Sequence, residues 1–69
     1  MTRLTVIVNG DQRVFDGPAT LADLLCQLDL DARMVVVELN REIVRRPRLA
    51  ETAVQNGDSV ELVHFVGGG

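Results

Sequence analysis

The residues best suited to do chemistry close the sequence: Val66-Gly67-Gly68-Gly69, directly behind an alternating apolar run. Glycine has no Cβ, so such a stretch adopts nearly any backbone conformation and its main chain can pass close to another surface. Three extended residues span about 10 Å, enough to carry the Gly69 carboxylate into a partner's active site while a folded body docks outside. A carboxylate becomes an electrophile only once activated, for example as an acyl-adenylate, and a side chain beside it would obstruct a narrow channel. The expectation is activation at Gly69 with Gly67 and Gly68 threading the tail. The competing expectation is a frayed end that does nothing.

Other chemistries are poorly supplied. His64 has no Ser, Cys or Asp partner at a recognisable spacing, so acid-base or nucleophilic catalysis has no second member. One Cys and one His are too few for a metal cluster, and no metal site is expected. Cys26 cannot close an internal disulfide and is read as incidental. All seven basic residues are Arg, so no side-chain amine exists for a Schiff base or an isopeptide chain. The formal charge of −3 argues against nucleic acid as a partner, which needs a clustered basic surface. The chain is therefore expected to be no enzyme and to bind no cofactor of its own.

The tail needs a folded body to position it, and 69 residues allow one domain with a simple core. Phe15 and Phe65 are the only aromatics, which leaves Val, Leu and Ile to fill that core and favours a sheet with little helix. Leu4, Val6 and Val8 alternate with polar or outward positions, Asn9-Gly10-Asp11 signals a hairpin turn, and Arg13-Val14-Phe15 returns. Asp16-Gly17-Pro18 breaks the strand, and Thr20 with Asp23 three residues on forms a capping box. The spacing of Leu21, Leu24, Leu25 and Leu28 predicts a helix that ends near Asp29 or Leu30, with Cys26 on its far side. Val35, Val37 and Leu39 mark a third strand, Asn40-Arg41 a turn, and Glu42-Ile43-Val44 a short fourth that stops before Pro47. Leu49-Ala50-Glu51 can form one helical turn. Asn56-Gly57-Asp58 then precedes a last strand from Ser59 to about Phe65.

Two hairpins around one helix predict an α+β, β-grasp (ubiquitin-like) domain over residues 1–66, with residues 67–69 as a flexible glycine tail. Its mixed sheet of four to five strands would hold the first and last strands parallel at the centre. Strand alternation turns Val60 and Leu62 toward the helix and Val63 and Phe65 to the other face, beside Met34 and Val36. Val36, Val63 and Phe65, with Arg45 and Arg46 from the arginine-rich segment Arg41 to Arg48, are the expected docking surface. The bland alternatives are apolar residues half covered by Arg stems and a cluster of merely solvated charges. No stretch approaches the roughly 20 apolar residues of a membrane span, and Met1-Thr2-Arg3 leads straight into strand-like sequence. A cytoplasmic protein, monomeric when free and not bound to membrane, is expected.

Val8-Asn9-Gly10, then Val37-Glu38-Leu39-Asn40 with Ile43-Val44-Arg45, then Asn56-Gly57-Asp58-Ser59-Val60-Glu61 running through Val63-His64-Phe65-Val66 to the glycines, are in order and spacing similar to the sulfur carrier proteins of thiazole (thiamin) biosynthesis, the ThiS family. The whole chain resembles that family. One departure is Arg46-Pro47-Arg48-Leu49, where many relatives carry an aromatic. The resemblance implies that an E1-like, ThiF-like adenylyltransferase uses ATP to adenylate Gly69. A sulfur donor such as a cysteine desulfurase then converts it to a thiocarboxylate, and a ThiG-like thiazole synthase takes the sulfur. The small subunit of molybdopterin synthase, a carrier for cysteine synthesis or tRNA thiolation, a noncovalent β-grasp binding module and a modifier joined to target lysines are the alternatives.

Overall fold

The structure, a computed structural model, describes residues 3–65. Strands β1 (Arg3–Val8) and β2 (Asp11–Asp16) form the first hairpin. Its turn, Asn9-Gly10, has positive φ at both residues, 50° and 85°, the combination that matches the twist of a two-residue hairpin and that Asn and Gly tolerate. Helix α1 (Leu21–Gln27) follows, then β3 (Val35–Leu39), β4 (Glu42–Val44) and β5 (Ser59–His64). The sheet order is β2-β1-β5-β3-β4, with β1 and β5 parallel and the other pairs antiparallel. This is the expected β-grasp, with all five strands in one sheet.

Helix α1 starts as its residues dictate. Thr20 Oγ1 accepts from the Asp23 N–H at 3.2 Å, and Asp23 Oδ2 accepts from the Thr20 N–H at 3.1 Å, so two end amides of the helix are satisfied reciprocally. It stops at Gln27 rather than near Asp29 or Leu30. Asp29 adopts φ 61°; its N–H donates to the Cys26 carbonyl and the Leu30 N–H to the Leu25 carbonyl. That bond pair is a Schellman ending, with aspartate in the left-handed position usually taken by glycine. The sequence expectation overran because the leucine spacing continues past the point where the backbone reverses. A 3-10 turn at Ala32–Met34, which the sequence did not announce, leads into β3. A longer one at Arg46–Glu51 replaces the single turn expected around Leu49.

The core lies between one sheet face and α1. Val6, Leu21, Leu24 and Val60 are fully buried, and Leu4, Val8, Phe15, Leu25, Val35, Val37, Leu49, Val54 and Leu62 complete it. Apart from Phe15 this core is aliphatic, as the composition required. No described polar or charged side chain is buried. Burial of aliphatic surface on one side of the sheet is therefore the main stabilising term.

The parallel β1–β5 contact is short, with Ile7 opposite Ser59 and Val8 opposite Val60, and two turn asparagines extend it. Asn56 Oδ1 accepts from the Thr5 N–H at 2.7 Å, and Asn9 Oδ1 accepts from the Leu62 N–H at 2.7 Å. A third, Asn40, accepts from the Ser59 N–H at 3.0 Å and donates to Asp58 Oδ1 at 3.1 Å. Three turn residues thus hold the last strand in register. Asn9→Gly keeps the left-handed turn but orphans the Leu62 amide, and should lower the unfolding free energy in urea by about 1–2 kcal/mol. Asn9→Ala should cost roughly 1 kcal/mol more because φ 50° is strained for alanine. Equal stability of Asn9→Gly and the unaltered chain would show that the amide finds another partner.

Candidate functional site

The sheet face away from α1 is uncovered. Ile7, Val14, Met34, Ile43, Val63 and Phe65 are exposed large apolar residues, and the strand register sets Val63 opposite Val36. The Phe65 N–H donates to the Met34 carbonyl at 2.9 Å, so the backbone stays tied to β3 for one residue past β5. Val63 and Phe65 thus stand beside Val36 and Met34, as the alternation predicted. Glu38 lies opposite Glu61 on the same face, a like-charge pair that weakens this part of the sheet.

Beside β3 lies an open groove of about 500 Å³, lined among others by Val36, Arg45, Arg46 and Phe65. Four of the five expected docking residues therefore meet in one place. Val63 adjoins them across the sheet but does not line the groove. Arg33, missed in the sequence, joins Arg45 and Arg46 there because the unannounced 3-10 turn carries it to the rim. Arg48 points elsewhere, 3.7 Å from Glu51 in an exposed ion pair that adds little stability, and Arg41 sits in the second hairpin turn at φ 74°. His64 and Cys26 are exposed. Gly67, Gly68 and Gly69, the residues expected to do the chemistry, lie outside the described residues.

Asp31 anchors Arg33. Its carboxylate accepts from the Arg33 guanidinium at 2.8 Å and from the Arg33 N–H at 2.9 Å, which holds its pKa down at about 2 against the usual 3.8. The Arg33 side-chain hydrogen bond is the largest cause, the backbone hydrogen bond the next, and the nearby Arg46 charge a lesser one. No group of three metal-ligating side chains gathers among the described residues. No helix among them is long and apolar enough to cross a membrane.

The strand order, the single helix and the exposed apolar face beside the last strand define a β-grasp domain. A sequence model of the ThiS family matches residues 6–69, and the chain belongs to that family. It is 44% identical over 50 residues to the sulfur carrier protein ThiS of Bacillus subtilis, covering 72% of this chain and 76% of that one. It is 42% identical over 66 residues to a thiazole synthase of Paramagnetospirillum magneticum, covering 96% of this chain but 20% of that protein. The chain thus spans about a fifth of that relative's length. The crystal structure of a thiamine biosynthesis protein (ThiS) from Geobacter metallireducens superposes with a TM-score of 0.81 at 38% identity, covering 96% of this chain and all of that one.

The Asp31–Arg33 pair gives a pH test at the groove rim. Because the folded pKa lies below the unfolded one, the stabilisation is present above about pH 4 and is lost as pH falls toward 2. An NMR carboxyl titration should place the Asp31 midpoint near 2 and, in Arg33→Ala, return it toward the ordinary aspartate range. A midpoint unmoved by that substitution would mean that Arg33 does not hold Asp31.

Proposed function

We propose that this chain is a sulfur carrier of thiamin biosynthesis: a protein cosubstrate, without turnover of its own, that carries sulfur as a thiocarboxylate on Gly69. A ThiF-like adenylyltransferase joins the Gly69 carboxylate to AMP from ATP, releasing pyrophosphate. A persulfide formed by a cysteine desulfurase then attacks the adenylate and expels AMP, a thiol reductant cleaves the resulting acyl disulfide to the thiocarboxylate, and a ThiG-like thiazole synthase takes the sulfur and leaves the carboxylate. The fold's part is to present the tail. The β5 strand is locked at the sheet centre by the Asn9 and Asn56 side chains, and the exposed Val63 and Phe65 lie at the tail's root as docking residues with Val36, Arg45 and Arg46. Gly67 and Gly68 thread into the partner without a side chain to clash. We place the protein in the cytoplasm, where ATP is available.

One observation carries the choice of acceptor. A protein named thiazole synthase contains a region 42% identical to nearly the whole of this chain, as expected if the carrier and the synthase act on each other. The family match that runs through Gly69 supports the site of loading. Both favour the thiazole branch over the molybdopterin one, and a carrier over a noncovalent module.

In a reaction containing ATP, cysteine, a thiol reductant, a desulfurase, the adenylyltransferase, and thiazole synthase with the substrates that supply the rest of the ring, the full chain should support thiazole formation. The Gly69-deleted chain should support none while keeping the same urea midpoint, since the deletion removes none of the core side chains. Thiazole formation that survives the deletion would favour a module acting through its sheet.

A further inference from the structure

The groove beside β3 lies where β4 stops short of it. Strand β4 pairs only with Val37, Glu38 and Leu39, whereas β5 pairs with β3 back to Val35, so Val35 and Val36 extend past the end of β4. The chain leaves the sheet at Arg45 because Pro47 opens the 3-10 segment Arg46–Glu51. Residues from both faces of the sheet line the groove, Val35, Val37 and Val44 from the core side and Val36, Ile43 and Phe65 from the outer side. That mixture arises only where the groove runs along an edge.

The direction of the backbone groups agrees. Met34 accepts from the Phe65 N–H and the Asn40 N–H donates to the Ser59 carbonyl. By the alternation of an antiparallel ladder, Val36 and Glu38 then also address β5, while Val35, Val37 and Leu39 address the β4 side. Val37 and Leu39 meet Val44 and Glu42 there; no residue of β4 stands opposite Val35. The rim carries Arg33, Arg45 and Arg46. Arg33 is engaged by Asp31, and no ion pair among the described residues involves Arg45 or Arg46. A chain of net charge −3 thus gathers positive charge at a strand position that β4 leaves unpaired, an arrangement that repels basic segments and accepts acidic ones.

We infer that an extended, acidic segment of a partner protein adds to the sheet beside Val35, its backbone pairing with that residue, one side chain entering the apolar groove beside Phe65 and a carboxylate meeting Arg45 and Arg46. Main-chain pairing supplies affinity in such additions, and the side-chain pockets supply specificity. The inference rests on the carrier reading, and names the kind of surface on which the carrier docks. It also places the docking contact next to the root of the tail, so that seating the strand orients the glycines toward the partner.

The probe is a blocked octapeptide of alternating valine and glutamate, titrated into the isotope-labelled full chain and followed by NMR. The amides of Val35, Val36, Arg45, Arg46 and Phe65 should shift together. A peptide with lysine in place of glutamate should bind roughly tenfold more weakly or worse, as should the Arg45→Glu, Arg46→Glu double variant with the original peptide. A peptide N-methylated at alternate residues should also lose binding, because it cannot pair with the edge. Equal binding of the lysine or N-methylated peptide, or shifts confined to Ile7, Val14 and Val63, would overturn the inference. So would concentration-dependent shifts of the groove amides without peptide, which would assign the edge to a second copy. Peptide binding that survives Gly69 deletion separates this surface from the tail: failure of the unaltered chain to load sulfur, with peptide binding intact, would count against the carrier reading alone.

Discussion

The pairing of β1 with β5 in parallel at the centre of the sheet is the contact on which the rest of the structure depends. It joins the two ends of the described chain, buries Val6, Val8, Val60 and Leu62 on the core face of the sheet, and sets Phe65 beside Met34. A parallel contact this short gains little from its own ladder. Side chains from the turns complete it: Asn9 reaches Leu62 from one end and Asn56 reaches Thr5 from the other. The turn residues therefore do two jobs, since the left-handed backbone that asparagine tolerates also aims its amide at a neighbouring strand.

Covering only one sheet face is the second constraint. A single seven-residue helix with two 3-10 segments cannot shield both sides, so apolar residues remain exposed on the other. On a small domain an exposed apolar patch marks a place for another molecule. Here it borders the last strand, a groove at the open edge of β3 and a cluster of guanidinium groups. In the proposed function, docking and tail presentation are parts of one arrangement, because both rely on β5 and the hydrogen bond from Phe65 to Met34 that continues it.

Much of this was legible from residue types. Alternation gave the strands, Asn-Gly pairs gave two turns, and the Thr20–Asp23 spacing gave the helix start. The parallel placement of the first and last strands followed from the order of the elements. Period-two patterning also predicted the neighbourhood of Val36, Val63 and Phe65. The helix end was not legible, because the Schellman reversal depends on Asp29 taking a left-handed conformation while Leu28 and Leu30 still look periodic. The groove was hidden for a different reason. It arises where β4 stops short of β3, a register fact set by tertiary packing, and Arg33 reaches it through a 3-10 turn with no hydrophobic signature. The roles of Asn9, Asn40 and Asn56 as strand latches were equally invisible, since turn propensity alone explains their presence.

No cluster of catalytic side chains is needed if the reactive group is a main-chain carboxylate and partner enzymes supply the ATP chemistry. The fold need only hold a strand rigid, leave an apolar surface open, and let the glycines reach outward. Intact-protein mass spectrometry of the chain after incubation with ATP, a sulfur donor system and an adenylyltransferase of the proposed kind tests this most directly. The account predicts a mass gain equal to replacement of one oxygen by sulfur, localised to Gly69 and absent from the Gly69-deleted chain. An unchanged mass, with an enzyme shown to load its own carrier under the same conditions, would contradict it.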